Sequence, residues 1–365
     1  MAQAGGFDRS GQDTSIILKE GNLLEITSVS VSPSVTGAYA GSASGGVVTD
    51  VAPDYSFTNL AFRTDISDDM SLAIIQDQPY GAKVNWASGA SLTASGAKSY
   101  KGVKADIKSD ATTALISYDL RDDVTVYAGL KNQSISATNS NPVAAVYTIS
   151  SNTDSSMGYV LGAAVEKPEI ALRVAFTYHS KVSHDLAIVE TNLLGNAALP
   201  TPHSTTTSFK TPEAYNLDFQ TGIAEDTLLF GTVRHVKWTQ FILKPTIYSG
   251  LTSGGALKDF TSNATTYTIG LGRKLNDQWA AAVTYGTEAA TGEAGSALGP
   301  TDGFKKMGVG VTYTGEKMSV TLGVQKANLG DTTIPEKALT ATTISAVNFT
   351  GNTTLVTAVK VAYKF

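Results

Sequence analysis

The chain has 365 residues, a net charge of −5 and 16% charged residues, well below the roughly 25% of an average soluble protein. So small an acidic excess carries no nucleic-acid footprint, and the absence of cysteine excludes disulfides and thiolate metal sites. No apolar run reaches the ~18 residues of a membrane-spanning helix, yet 42% hydrophobic residues and 34 glycines do not describe a disordered chain either.

The opening residues, MAQAGGFDRS, place Ala2-Gln3-Ala4 in the small-x-small form of a signal-peptide cleavage site, without the apolar stretch that precedes one. This reads as an exported protein in mature form with an expression Met1; a chance run of small residues reads equally well. From Leu23 onward, short strand-like runs with period-two alternation repeat to the end. Tight polar turns fall at Ser67-Asp68-Asp69, Arg121-Asp122-Asp123, Lys167-Pro168-Glu169, Ala224-Glu225-Asp226, Asn276-Asp277-Gln278 and Gly315-Glu316-Lys317. Each is flanked by alternation on both sides, as hairpins are. Six hairpins, the run Leu23 to Ser32 and the final run make about fourteen strands. Long Ser/Thr/Gly/Asn-rich connections separate them, near 33–54, 77–98, 133–155, 180–206, 239–262, 287–303 and 326–352. No fixed repeat of a solenoid or propeller is present.

The strands have two unlike faces. In WAAAVTYG (279–286), Trp279, Ala281, Val283 and Tyr285 oppose Ala280, Ala282, Thr284 and Gly286; in MGVGVTY (307–313), Met307, Val309, Val311 and Tyr313 oppose Gly308, Gly310 and Thr312. In IALRVAFTYH (170–179), Ile170, Leu172, Val174, Phe176 and Tyr178 oppose Ala171, Arg173, Ala175, Thr177 and His179, and NLDFQTGI (216–223) behaves alike. A soluble barrel buries its large residues; here small and charged residues share a face, and Tyr or Trp sits near strand ends. The expectation is an all-β transmembrane antiparallel barrel of about 14 strands, bulky face to lipid, with short turns at one rim and long loops at the other. Hydrocarbon tolerates no open edge, so the last run, TTLVTAVKVAYKF, pairs with the first and clamps the terminal Phe365. The run TLLFGTVRHVK (227–237) breaks the rule: an inward Arg234 carries Leu228 and Phe230 inward, so a bulge near Gly231 is expected to restore the faces.

Fourteen strands behind a short N-terminal segment, with GGFDRSGQDTSIILKEGN (5–22), SVSVSPSVTG (28–37), IIQDQPYGA (74–82) and NLDFQTGIAEDTLLFGTVRHVKW (216–238) in that order, resemble the FadL family of outer-membrane transporters for long-chain fatty acids and other hydrophobic compounds. The resemblance implies capture at extracellular loops, a lumen site, an N-terminal plug and lateral release through the wall near the third strand. It divides the chain into a plug, 1–22, with Phe7, Ile16, Ile17 and Leu18 as apolar contacts, and a barrel, 23–365. The plug is shorter than the family's best-known one and lacks its Asn-Pro-Ala motif. The resemblance also implies a monomer in the bacterial outer membrane, its surroundings lipid and lipopolysaccharide. A terminal aromatic resembles the signal read by the barrel assembly machinery.

Apolar loop residues in water mark binding sites: Val143, Val146 and Tyr147 in one loop, Ile188, Leu193 and Leu194 in another, with loop-on-loop packing as the alternative. Alternation turns Arg63, Arg173, Arg234, Lys274 and Lys360 inward, where a fatty-acid carboxylate finds cationic partners; pairing with lumen acids such as Asp65, Asp119 or Asp218 is the plainer role. Gln78-Pro79-Tyr80-Gly81 either ends the third strand or forms the lateral opening, since proline donates nothing to a ladder. The four histidines have no metal spacing and no nucleophile elbow or phosphate loop occurs, so neither enzyme nor cofactor is expected. The competing reading is a passive general-diffusion aqueous porin; a surface adhesin rests only on loop length.

Overall fold

A computed structural model describes residues 7–40, 46–86, 99–141, 147–192, 202–339 and 342–365. Fourteen strands close one antiparallel barrel. The first half holds β1 (Leu23–Ser34), β2 (Tyr55–Ser67), β3 in two pieces (Met70–Asp77 and Gly81–Asn85), β4 (Lys104–Arg121), β5 (Val124–Asn141), β6 (Asp154–Lys167) and β7 (Leu172–His179). The second half holds β8 (Ala214–Ala224), β9 (Thr227–Val236), β10 (Ala264–Lys274), β11 (Trp279–Glu288), β12 (Phe304–Thr314), β13 (Met318–Leu329) and β14 (Thr353–Lys364). The last strand closes on the first from Leu23↔Lys364 to Ser34↔Thr353. The amide of Phe365 donates to the Asn22 carbonyl at 3.2 Å, so the terminus is held within the sheet. All six expected tight turns join their hairpins at one rim.

The faces follow the alternation. Val309, Val283, Phe176, Leu217 and Leu355 are exposed on the outer wall, whereas Ala73, Leu115, Ala164 and Ala175 are buried inside. Aromatic rings gather at two levels of that wall. Tyr159, Tyr178 and Tyr215 form a continuous row at the loop end, with ring centroids 5.9 and 5.3 Å apart. Trp279 with Tyr313, and Phe62 with Phe365 and Tyr363, mark the turn end. Two such belts bounding an apolar band are what a bilayer requires. No helix among the described residues is long and apolar enough to cross a membrane.

Two expectations need correcting. β9 pairs with β10 without a register shift from Thr227↔Arg273 to Val236↔Ala264, so no bulge lies near Gly231; the one irregularity on its other side falls between Gly222 and Ala224. Leu228 and Phe230 therefore point inward with Arg234. The second correction concerns the long connections. β5 runs on to Asn141, and Val182–Asn192 pairs with His203–Thr211 and with Tyr147–Ser151. The segments expected as loops at 133–155 and 180–206 thus carry the wall of the barrel outward as a sheet. Its buried face, Val182, His184, Leu186, Ile188 and Glu190, alternates as strictly as any other strand.

Residues 7–22 lie against inward-facing side chains. Ile16, Ile17 and Leu18, on a single 3-10 turn, pack with Ala73, Ile75, Leu115, Tyr127, Val160, Ala164 and Ala175. This turn hugs the wall of β3 to β7, while Asp8, Gly11 and Gln12 reach across to Asn216 of β8 and Arg234 of β9.

Candidate functional site in the lumen and its wall

The third strand is broken where proline removes a donor. Met70–Asp77 pairs with both β2 and β4, whereas Gly81–Asn85 pairs with β4 alone among the described residues. On the other side, β2 from Tyr55 to Asn59 is matched, among the described residues, only by β1. A gap in the wall results, and the N-terminal segment occupies it. The amides of Arg9 and Ser10 donate to the carbonyls of Pro79 and Gln78 at 2.9 and 3.1 Å, and Gly81 donates to Phe7 at 2.8 Å. The Arg9 guanidinium lies 4.5 Å from the Tyr55 ring centroid. It rests against Gly81, where an added Cβ would push the guanidinium aside. Tyr80 turns inward, its hydroxyl reaching the Pro212 carbonyl at 3.1 Å.

Beside this segment the lumen holds a cavity of about 470 Å³, lined by Asp8, Thr14 and Ser15 from the N-terminus and by Asn216, Asp218, Phe230, Arg234, Thr268 and Lys306 from the wall. Four of the five inward cations expected from alternation bind the N-terminal segment or its neighbour acid. Arg234 is buried and grips Asp8 with two hydrogen bonds of 2.5 and 2.9 Å, adding Asn216 at 2.8 Å and Gln12 at 3.1 Å. Arg173 spans Glu166 at 2.6 Å and the Leu18 carbonyl at 2.7 Å. Arg63 donates to the Gly21 carbonyl and Ser71, each at 2.6 Å, and pairs with Asp65. Lys360 and Lys19 share Glu25 at 2.8 and 2.6 Å. Burial, with Lys360 close by, pulls the Lys19 ammonium below its ordinary range. Lys274 lies at the turn rim, paired with Asp277 at 3.0 Å. Lys306, which alternation reasoning passed over, lines the cavity and makes no ion pair among the described residues; its ammonium sits 5.4 Å from the Phe304 ring.

Above the cavity the barrel is filled with aromatic rings. Phe7 meets Trp238, Phe241 and Phe260 edge-on at 5.8, 5.3 and 5.2 Å, and Tyr80 meets Trp238 at 5.4 Å. The connection after β9 thus folds down onto both the N-terminus and the break in β3, which the sequence reading missed. The signal available was the apolar content of this connection, Trp238, Phe241, Leu243, Ile247, Leu257 and Phe260, too rich for a solvated loop. Tyr147 and Ile188 are buried in the same cluster. The Tyr147 hydroxyl donates to Glu190 at 2.8 Å, and Glu190 also accepts the amides of Ile247 and Tyr248 at 3.0 and 3.1 Å, at the start of the short helix Thr246–Leu251. Burial, then the adjacent carboxylate, pushes the Tyr147 hydroxyl up, so it stays a donor. Val143, Val146, Leu193 and Leu194 lie outside the described residues.

Comparison with known proteins agrees with this architecture. No curated protein sequence matches the chain. Among solved structures it is similar to a Pseudomonas aeruginosa FadL homologue, with a TM-score of 0.76 and 13% identity over 96% of this chain and 92% of that one. It is also similar to the Ralstonia pickettii toluene transporter TbuX (TM-score 0.60, 11% identity, 100% and 96% covered) and the Pseudomonas putida toluene transporter TodX (0.63, 10%, 100% and 96%). At such identities the likeness establishes the fold alone. Residues 20–365 match the family model described as outer membrane protein transport protein (OMPP1/FadL/TodX), and the chain belongs to that family of outer-membrane transport channels.

Proposed function

We propose that the chain takes up hydrophobic small molecules across the bacterial outer membrane, capturing them at its extracellular loops, holding them in the lumen and releasing them sideways through the wall. Residues 1–22 act as the plug. The observation that carries this reading is the break at Gln78–Tyr80: a gap in a barrel wall that bilayer physics otherwise forbids, filled by a detachable segment rather than by a strand. A general-diffusion porin needs neither the gap nor the aromatic fill above the lumen. Transporters of toluene among the structural relatives favour lipophilic cargo over polar solutes.

The headgroup is a separate question. Arg63, Arg173, Arg234 and Lys360 are already engaged, which leaves Lys306 to meet a carboxylate in the cavity. Replacing Lys306 with Met slows uptake of a long-chain carboxylate and spares a hydrocarbon of equal length if fatty acids are the cargo; equal effects on both remove this role. The lateral outlet is tested with Arg9→Cys and Tyr55→Cys, in a chain otherwise free of cysteine. Bridging them with a short, reducible bis-thiosulfonate is expected to halt hydrophobic uptake and reduction to restore it. Undiminished uptake in the bridged state rules out release through this gap.

A further inference from the structure

Inward-facing residues on β8, β9 and β10 descend the lumen in rungs about 7 Å apart, two residues of strand each. The cavity beside the N-terminal segment ends at Gln220, Phe230 and Thr268. One or two rungs lower, Gly222, Leu228 and Gly272 line a second cavity of about 440 Å³ at the turn rim. Ala280, Ala282 and Gly310 keep its inner side small, and Asp226, Arg273 and Lys274 stand at its mouth on the turn rim. Between the two lies the phenyl ring of Phe230. It crosses to its ladder partner Gly270, where a Cβ would stand 2.3 Å from Phe230 Cζ, and reaches within 3.6 Å of the equivalent point at Gly272. Either glycine bearing a large side chain would displace the ring, and without the ring the two cavities would merge. The N-terminal segment, tied to Asn216 and Arg234 higher on β8 and β9, lines the upper cavity, and none of its residues lines the lower one.

We propose that the lumen has a second, axial outlet along β8 to β12 into the periplasmic vestibule, closed by Phe230 and suited to compact uncharged solutes. Such molecules pass a phenyl ring between glycines without shedding the hydration of a charge, whereas elongated cargo is left to the wall opening. The inference rests on the lumen being the transport route, as proposed above. It also accounts for the inward Leu228 and Phe230, which the alternation rule does not.

The test uses the full chain in planar bilayers with potassium chloride as the probe, folding being checked by heat-modifiable electrophoretic migration. Phe230→Ala is expected to raise steady conductance severalfold over the parent, and Phe230→Leu to raise it less. Gly310, where an added Cβ meets only the Leu322 carbonyl at 3.5 Å, offers space to refill the vestibule. Phe230→Ala with Gly310→Trp is therefore expected to return conductance to the parental level. Parental conductance in folded Phe230→Ala, or in Phe230→Leu should the alanine variant not fold, overturns the axial route, as does a Gly310→Trp pair as conductive as Phe230→Ala alone. The Arg9–Tyr55 bridge is expected to leave these conductances unchanged, so failure of the lateral outlet and failure of the axial one are told apart.

Discussion

Releasing the N-terminal segment should be possible by removing one carboxylate, because Asp8 is the residue that Arg234 holds most tightly. In Asp8→Ala the arginine keeps Asn216 and Gln12 but loses both charge-assisted bonds, of 2.5 and 2.9 Å. Removing one partner of a buried ion pair costs about 3–5 kcal/mol. Arg234 lines the lumen cavity and regains some water there, so the lower end, about 3 kcal/mol, applies, and at about 1.4 kcal/mol per decade this is roughly a hundredfold shift towards the detached segment. Arg173 on Leu18 and Arg63 on Gly21 hold the C-terminal end of the segment and confine the release to residues 7–14, whose backbone bonds to Gln78, Pro79 and Gly81 are the same in parent and variant and leave the ratio unchanged. Thr14 is buried and bonds Thr177 at 3.2 Å, which makes Thr14→Cys a reporter in a chain with no other thiol. Its maleimide labelling rate, proportional to the open fraction when closing is fast, should rise about a hundredfold when Asp8→Ala is added. An unchanged rate would mean that the Asp8–Arg234 pair does not hold the segment in place.

Val309→Arg puts a charge on the exposed outer face at the middle of β12 and should lower stability in lipid by roughly 2–4 kcal/mol; Leu172→Arg, beside the turn at the first residue of β7, should cost only about 0–1 kcal/mol, and reversible unfolding in liposomes reads both. Deleting Phe365, whose ring stacks at 6.0 Å on Phe62 and whose amide bonds Asn22, should slow insertion in cells, visible as unfolded chain in the periplasm; normal insertion would remove that role from the terminus. Glu190→Gln turns an acceptor of four donors, Tyr147, Thr205 and the amides of Ile247 and Tyr248, into a group that presents its own N–H to them. A cost of about 1–3 kcal/mol is expected, confined to the extracellular cap and read as faster proteolysis between residues 237 and 263 with the barrel intact.

The barrel was legible because its signals are local. Two carboxylates or a proline between alternating runs mark a hairpin, and the identity of the residues on each face separates lipid from lumen without knowledge of what lies across the barrel. The partners of the lumen charges are not local. Arg234 meets a residue 226 positions away and Arg173 one 155 away, so alternation turned them inward correctly but gave no hint that they grip the N-terminal segment. Val182–Asn192 reads as loop because Leu186 and Ile188 look like exposed capture residues; in the structure they share a buried strand face with His184 and Glu190, which are satisfied by hydrogen bonds to Asp154 at 2.7 Å and from Tyr147. Phe230 misled in the other direction. A large inward side chain suggested a bulge, whereas the two glycines opposite, Gly270 and Gly272, make space for it in an unbroken ladder.

The transport claim is tested most directly by uptake into cells in which this chain is the one added outer-membrane protein, comparing a hydrophobic compound with a hydrophilic solute of the same size. Faster entry of the hydrophobic compound, with the hydrophilic solute unaffected, is the expected result. Equal acceleration of both, accompanied by a large steady ion conductance of the unmodified chain, would make it a water-filled porin and contradict the account.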